Sequence, residues 1–313
     1  MTPPVAAPTF LESAGWGGGR IVPLAGDASF RRYFRVVAPG RTAVLMDAPP
    51  EHEDSRPFIA VADHLHALGF AAPRILARDL DQGLILLEDF GDARMAEVIA
   101  EAPDRETPIY GQAIDLLRAL HAHDGGTLPP YDLAVLEREA ALFPEWYLPA
   151  VGLDGAVGWT EAWAAALDHV ADARSATVLR DYHAENIMLL EDGSLGLLDF
   201  QDALAGHPAY DLVSLLQDAR RDVPPALETA MLRRYGPIDD AAYAILGAQR
   251  NTKILGIFTR LWKRDGKPRY LAYQPRVWRY LERDLAHPAL AQVKAWFDRH
   301  VPQSKRAAFW LET

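Results

Sequence analysis

The chain has 313 residues, no cysteine, and 43 acidic against 32 basic side chains, a formal net charge of −11. The lack of thiols excludes disulfides and thiolate metal sites, and the acidic balance argues against a general nucleic-acid binder. No apolar run is long enough to span a bilayer, so no membrane or nucleic-acid partner is expected.

A chain of this length exceeds one small core and is expected to divide in two. Its charge is uneven. From Arg250 onward 14 basic residues meet 5 acidic ones, a balance of +9, while the rest of the chain holds 18 against 38, a balance of −20. An acidic body with a basic C-terminal segment leaves room for a local anionic ligand. The first eight residues lack a basic segment followed by an apolar core, so a cytoplasmic protein is expected.

In chain order, Gly17-Gly18-Gly19 completes neither a P-loop nor a dinucleotide fingerprint and reads as a turn. Strands are predicted at 21–24, 33–37 and 43–46, then a helix at 57–68, and two further strands at 73–77 and 84–87. Helical spacing follows at 110–121, where Ile114, Leu117 and Leu120 share a side, and at 161–171, with Trp163 and Leu167. His121 and His123 are expected to end the first of these helices. Phe143-Pro144-Glu145-Trp146-Tyr147 sets aromatics beside a carboxylate, a combination that either flanks a sugar ring or packs helix against helix. A helix at 241–263 carries an apolar stripe of Ile254, Ile257, Phe258 and Leu261, with Arg250, Lys253 and Arg260 recurring toward one side.

The stretch from Val178 to Ala203, VLRDYHAENIMLLEDGSLGLLDFQDA, carries the chemistry. A strand at 176–179 leads into a polar loop, and 187–190 and 195–200 form a hairpin around an Asp-Gly turn. Asp181 and Asn186 enter the hairpin, and Asp199 follows on its second strand. Phosphoryl transfer needs an acid near the attacking hydroxyl, and an Asn with an Asp to hold magnesium against the nucleotide phosphates. Magnesium takes oxygen ligands and keeps waters, so two protein ligands suffice.

The D-x-x-x-x-N and D-F spacing resembles the catalytic and metal loops of protein-kinase-like enzymes, and Gly206-His207-Pro208-Ala209-Tyr210-Asp211-Leu212 is similar to their aminoglycoside-phosphotransferase branch. That resemblance implies an α+β, bilobal protein-kinase-like fold with a small β-rich N-lobe, residues 1–90, and a larger, mainly helical C-lobe, residues 91–313, joined near 88–92. It makes Asp181 the base, Asn186 and Asp199 the magnesium ligands, and Asp211 a structural brace at a helix start. Leu179 stands where the commonest loop has His, and Gln201 where it has Gly; neither change removes a ligand. More serious, the strand at 42–47 lacks the phosphate-pairing Lys, and the first lysine of the chain is Lys253. The turn from Gly26 to Arg32 offers a substitute: backbone amides around Ser29 and Phe30, with Arg31 or Arg32, would cover the phosphates of ATP. Either arginine fits a solvated basic hairpin equally well. Residues 84–92 resemble the hinge that meets the adenine, near Glu88 and Phe90, and read equally well as an edge strand ending in a turn.

Gln249 to Phe258, Arg264 to Leu271, Gly26 to Val36, Leu45 to Pro50 and Asp199 to Ala203 resemble bacterial anomeric N-acetylmuramate and N-acetylglucosamine kinases, a likeness over nearly the whole chain. It implies ATP- and magnesium-dependent phosphorylation of the C1 hydroxyl of a small amino sugar in peptidoglycan recycling. The lactyl carboxylate of N-acetylmuramate would meet Arg250, Lys253 or Arg260, and His183 would contact substrate or phosphate. Two alternatives stay open: a kinase for an aminoglycoside or another amino-alcohol, and a noncatalytic nucleotide-binding module.

Overall fold

The computed structural model describes residues 1–24, 30–173 and 175–306. In chain order the elements are α1 (Ala7–Ser13), β1 (Arg20–Pro23), β2 (Arg32–Ala38), β3 (Arg41–Asp47), α2 (Arg56–Ala67), β4 (Ile75–Asp79), β5 (Leu84–Glu88), α3 (Met95–Glu101) and α4 (Glu106–Leu120). There follow α5 (Leu133–Ala140), α6 (Leu148–Ala150), α7 (Trp159–Ala171), β6 (Ala176–Val178), β7 (Ile187–Leu189), β8 (Leu195–Leu197) and β9 (Leu204–Gly206). The chain closes with α8 (Ala209–Leu216), α9 (Pro225–Tyr235), α10 (Asp240–Lys263), α11 (Gln274–Asp284) and α12 (Ala291–His300). They form two compact units: Met1–Pro103 with Glu185–Asp202, and Asp104–Ala184 with Ala203–Thr313.

The first unit is built on an antiparallel sheet of order β1-β2-β3-β5-β4. Alternation in β2 and β3 turns Phe34, Val36, Ala43 and Leu45 to one buried side, where they meet Phe10 and Leu11 of α1 and Trp16. Strand β5, LILLE, lies between β3 and β4, and its continuous apolar run fits a strand buried on both faces. The turn into β5 requires Gly83: its φ is +66°, and a Cβ there would lie 2.1 Å from the Ala48 carbonyl oxygen. The hairpin β7–β8 pairs Ile187 with Leu197 across the Asp192-Gly193 turn. Main-chain bonds from Leu197 to Ala71 (2.8 Å) and from Leu189 to Ala93 (2.8 Å) stitch it into this unit.

The second unit is mainly helical, with a two-stranded pair in which the expected strand β6 meets β9, a partner that the sequence reading did not anticipate. Strand β9 is three residues long, Leu204-Ala205-Gly206, too short for a periodic signal of its own. Helix α10 runs through its middle, and residues 242, 244–252, 254–256, 258, 259 and 261 are buried. The core includes an aromatic cluster in which Phe143 stacks on Tyr147 at 4.7 Å and on Trp159 at 5.8 Å. Phe143 and Tyr147 are thus core residues, and the helix-packing alternative for the segment applies to them. Among the described residues no helix is long and apolar enough to cross a membrane.

The sequence-derived elements stand close to these bounds. The main shift is at the hairpin, whose second strand ends at Leu197 rather than 200. Asp199 adopts a left-handed φ of +55°, which takes the chain out of the strand.

Candidate active site

The loop after β6 is fixed by its backbone. Asp211, fully buried in the first turn of α8, accepts the amides of Leu179 (2.7 Å) and Arg180 (2.8 Å) on its two carboxylate oxygens. Arg180 itself has a left-handed φ of +70°, unfavourable for a residue with a Cβ. Two charge-assisted bonds to one carboxylate hold it there.

In the second unit, Asp181 faces a cationic wall. Arg250 of α10 pairs with its carboxylate at 3.7 Å and donates to Ser214 Oγ at 2.8 Å. Lys253, one turn further along α10, pairs with Glu139 at 2.8 Å and donates to the Tyr210 hydroxyl at 3.3 Å. The side chain of Asp181 keeps 41 % of its surface accessible. Desolvation pushes its carboxyl up, but the fields of Lys253, Arg250 and Arg180 outweigh that and hold it below the usual carboxylate range.

His183 is buried beside this wall. Its Nε2 lies 3.1 Å from Arg220 Nη1, and because a guanidinium only donates, Nε2 accepts and the ring is neutral with its proton on Nδ1. Desolvation takes its pKa down to about 4, against the opposing charge of Asp218, so it stays neutral near pH 7. Arg260 lies at the far end of the basic series on α10. Burial and the nearby Arg264 lower its pKa, and its Nε has no hydrogen-bond partner among the described residues. Arg264 pairs instead with Asp265 at 2.6 Å.

Sequence reading missed Glu139, the hub of this region. It accepts from Arg180, Lys253, Tyr131 and Gln249, and is 6 % exposed. The available signal is a lone carboxylate on the buried side of α5, next to Leu136 and Ala140.

In the first unit, Asn186 and Asp199 come together. Asn186 Nδ2 lies 3.4 Å from Asp199 Oδ2, and the Asn186 carbonyl accepts the Leu198 amide at 2.9 Å, closing the mouth of the hairpin. Gln201 donates to Asp199 Oδ1 at 3.0 Å. A half-turn of the Asn186 amide exchanges Nδ2 for Oδ1 beside the carboxylate, giving the neutral-plus-anionic oxygen pair that suits a hard divalent cation. Among the described residues no set of three His, Asp or Glu is placed to hold a metal ion.

The remaining first-unit residues singled out by sequence are dispersed. Ser29 lies outside the described residues. Phe30 is 65 % exposed and stacks on His52 at 4.9 Å. Arg31 pairs with Glu53 at 3.2 Å, and Arg32 with Asp47 at 2.7 Å, so each candidate for the missing lysine engages a carboxylate. Glu88 pairs with Arg74 at 2.9 Å. The Phe90 ring sits over β8 at Gly196, where a Cβ would lie 2.6 Å from Phe90 Cε2.

Residues 20–246 match the model of the phosphotransferase enzyme family. The chain is 41 % identical to an N-acetylmuramate/N-acetylglucosamine kinase of Caulobacter vibrioides, over 96 % of this chain and 97 % of that protein. It is 40 % identical to an enzyme of the same name from Pseudomonas aeruginosa, over 91 % of each. The crystal structure of choline kinase LicA from Streptococcus pneumoniae superposes with a TM-score of 0.60 at 14 % identity, covering 87 % of this chain and 93 % of that one, a likeness of kinase-like fold. With an α+β framework of the expected kind and a family match over more than half its length, the chain belongs to the phosphotransferase enzyme family and is a phosphotransferase with an alcohol group as acceptor.

Proposed function

We propose that the protein is an ATP-dependent sugar kinase that phosphorylates the anomeric C1 hydroxyl of N-acetylmuramate, N-acetylglucosamine or both, in peptidoglycan recycling. The observation that carries the reading is the end-to-end likeness to kinases of that name at 41 % and 40 % identity. The acidic loop residue faced by cations supports it, as does Asn186, five residues on, held beside Asp199. In this reading residues 1–90 bind the nucleotide, around Phe30, Arg31, Arg32, Glu88, Phe90 and Ser29, and residues 91–313 carry catalysis and the sugar.

Asp181 orients the acceptor hydroxyl and takes its proton as the oxygen bonds to the γ-phosphorus and the bond to the ADP oxygen breaks. A base so placed contributes about 10²- to 10⁴-fold. The anomeric hydroxyl is more acidic than an ordinary alcohol, so a carboxylate held below its usual pKa still serves, through orientation more than basicity. Asn186 and Asp199 hold magnesium, which when bound offsets charge on the transferring phosphoryl group. Asp211 braces the loop, and His183, neutral, would contact the substrate or a phosphate.

Of the three cations considered for the lactyl carboxylate, Arg250 and Lys253 are engaged with Asp181 and Glu139, while Arg260 has carboxylate-binding capacity in reserve.

Product labelling with ATP, magnesium and a panel of sugars and aminoglycosides tests the reading. Turnover of the two amino sugars is expected. Aminoglycoside turnover without sugar turnover would replace the substrate class, and nucleotide binding without any turnover would make the protein a noncatalytic module. Arg260→Met is expected to lower kcat/KM for N-acetylmuramate about tenfold, within the range of a charge-assisted hydrogen bond, and to leave N-acetylglucosamine unaffected.

A further inference from the structure

We infer that Glu139 is a positioning residue for the reaction: it holds the Lys253 ammonium and the Arg180 guanidinium beside Asp181 while preventing Lys253 from closing on it. The inference rests on the reading of Asp181 as the base.

The geometry is that of a saturated carboxylate. Glu139 Oε1 receives Arg180 and Lys253 (2.8 Å), and Oε2 receives the Tyr131 hydroxyl and Gln249 Nε2 (3.3 Å). Four donors from three parts of the chain converge on one buried acid: the loop after β6, α10 twice, and the segment before α5. Burial pushes the Glu139 carboxyl up, yet Lys253 and Arg180 bring it down to about 2, so it is anionic at any working pH.

Lys253 acts on two acids in different ways. It makes a contact pair with Glu139 and acts on Asp181 through its field, where it is the largest of the charges that favour the ionised form. The other groups facing Asp181 are Arg250 on the same helix and Arg180 and His183 on its own loop, with Asp218 and Arg220 behind His183.

This division has a chemical consequence. A lysine is a compact charge on a flexible stem. Released, it would form a contact pair with a carboxylate that is 41 % exposed, and so occupy the oxygens that must lie within about 2.6–3.2 Å of the acceptor hydroxyl. Anchored on Glu139, it keeps Asp181 ionised and leaves it open. The same carboxylate pins the side chain of Arg180, whose backbone amide is already held by Asp211. The loop that carries Asp181 is thereby fixed from two directions.

The test is steady-state kinetics on the full chain with a sugar that the wild type turns over. Glu139→Gln is expected to lower kcat about 10²-fold, the effect of a misplaced reacting group, with KM for nucleotide retained. Adding Lys253→Met to Glu139→Gln should restore kcat about tenfold or more, since the freed ammonium is then absent; a loss caused by a disturbed core would not recover. Lys253→Met alone should move the acid limb of kcat/KM to higher pH. Glu139→Gln turning over within about twofold of wild type, or a double variant no faster than Glu139→Gln, would overturn the inference. If thermal melting shows that Glu139→Gln does not fold, Lys253→Met decides alone, and an unmoved acid limb overturns it. Failure of the underlying reading is distinguishable: Asp181→Asn would then keep wild-type turnover, whereas an inactive Asp181→Asn beside inert Glu139 and Lys253 variants removes only this inference.

Discussion

Two buried acids flank helix α10 in opposite charge states. Glu139 and Asp284 are 6 % and 5 % exposed. Glu139 receives two cations along with a phenol and an amide, and its carboxyl lies at about 2. Asp284 receives the amides of Gln217 (3.0 Å) and Asn251 (3.2 Å), and burial pushes it up to about 8 against the weaker pull of Arg283. Burial is the same for both, so burial does not set the charge. The character of the donors does: guanidinium and ammonium offset the loss of hydration, and neutral amides do not. The ionised acid lies on the flank that shares Lys253 and Arg180 with Asp181, and the neutral one lies on the flank where α10 meets α11.

The comparison extends to Asp181, a third acid beside the same cations but open to solvent. Asp181→Asn should retain nucleotide binding and lose about 10²- to 10⁴-fold in kcat, measured by product labelling. Unchanged turnover would remove Asp181 from the set of reactive acids. Glu139→Ala should cost about 3 kcal/mol in denaturant unfolding, because it leaves two partly buried cations without their anion. A loss below about 1 kcal/mol would mean that the network is hydrated and the contrast with Asp284 is overstated.

On the neutral flank, Gly247 faces Asp284: a Cβ there would lie 2.5 Å from Asp284 Oδ2. Gly247→Ala should therefore destabilise by about 1–3 kcal/mol through overpacking, reversing the gain of about 1 kcal/mol that Ala brings to an open helix position. The smallest effect is in pH dependence. The Asp284 pKa is raised on folding, so its contribution is fully present below its ordinary value of 3.8 and is lost as pH rises through about 8. Glu139 runs the other way: its contribution is present above its ordinary 4.5 and lost as pH falls through about 2. Asp284→Asn should flatten the decline in Tm between about pH 4 and 8. A decline as steep as that of the wild type would show that another group titrates there.

Much of the framework was readable before any coordinates. The Asp-Gly turn announced the hairpin, the apolar run LILLE announced β5, and the stripe of Ile254, Phe258 and Leu261 announced α10. These are local signals, since turn chemistry and apolar spacing act over a few residues. Helix α1 and strand β9 escaped because their runs are short and their stability comes from neighbours distant in sequence. The candidate site divides in the same way. Asp181, Asn186 and Asp199 stand out through spacing within one segment, whereas Glu139 lies 41 residues before the Arg180 it binds and 114 before Lys253.

The sequence by itself determined the order of elements, the chemical inventory of the loop and hairpin, and the uneven charge that concentrates basic residues after Arg250. Only the tertiary structure decided which acids are ionised and which cations are engaged. Protonation depends on distances of a few ångströms between groups on different elements, and no local pattern in a chain encodes those distances.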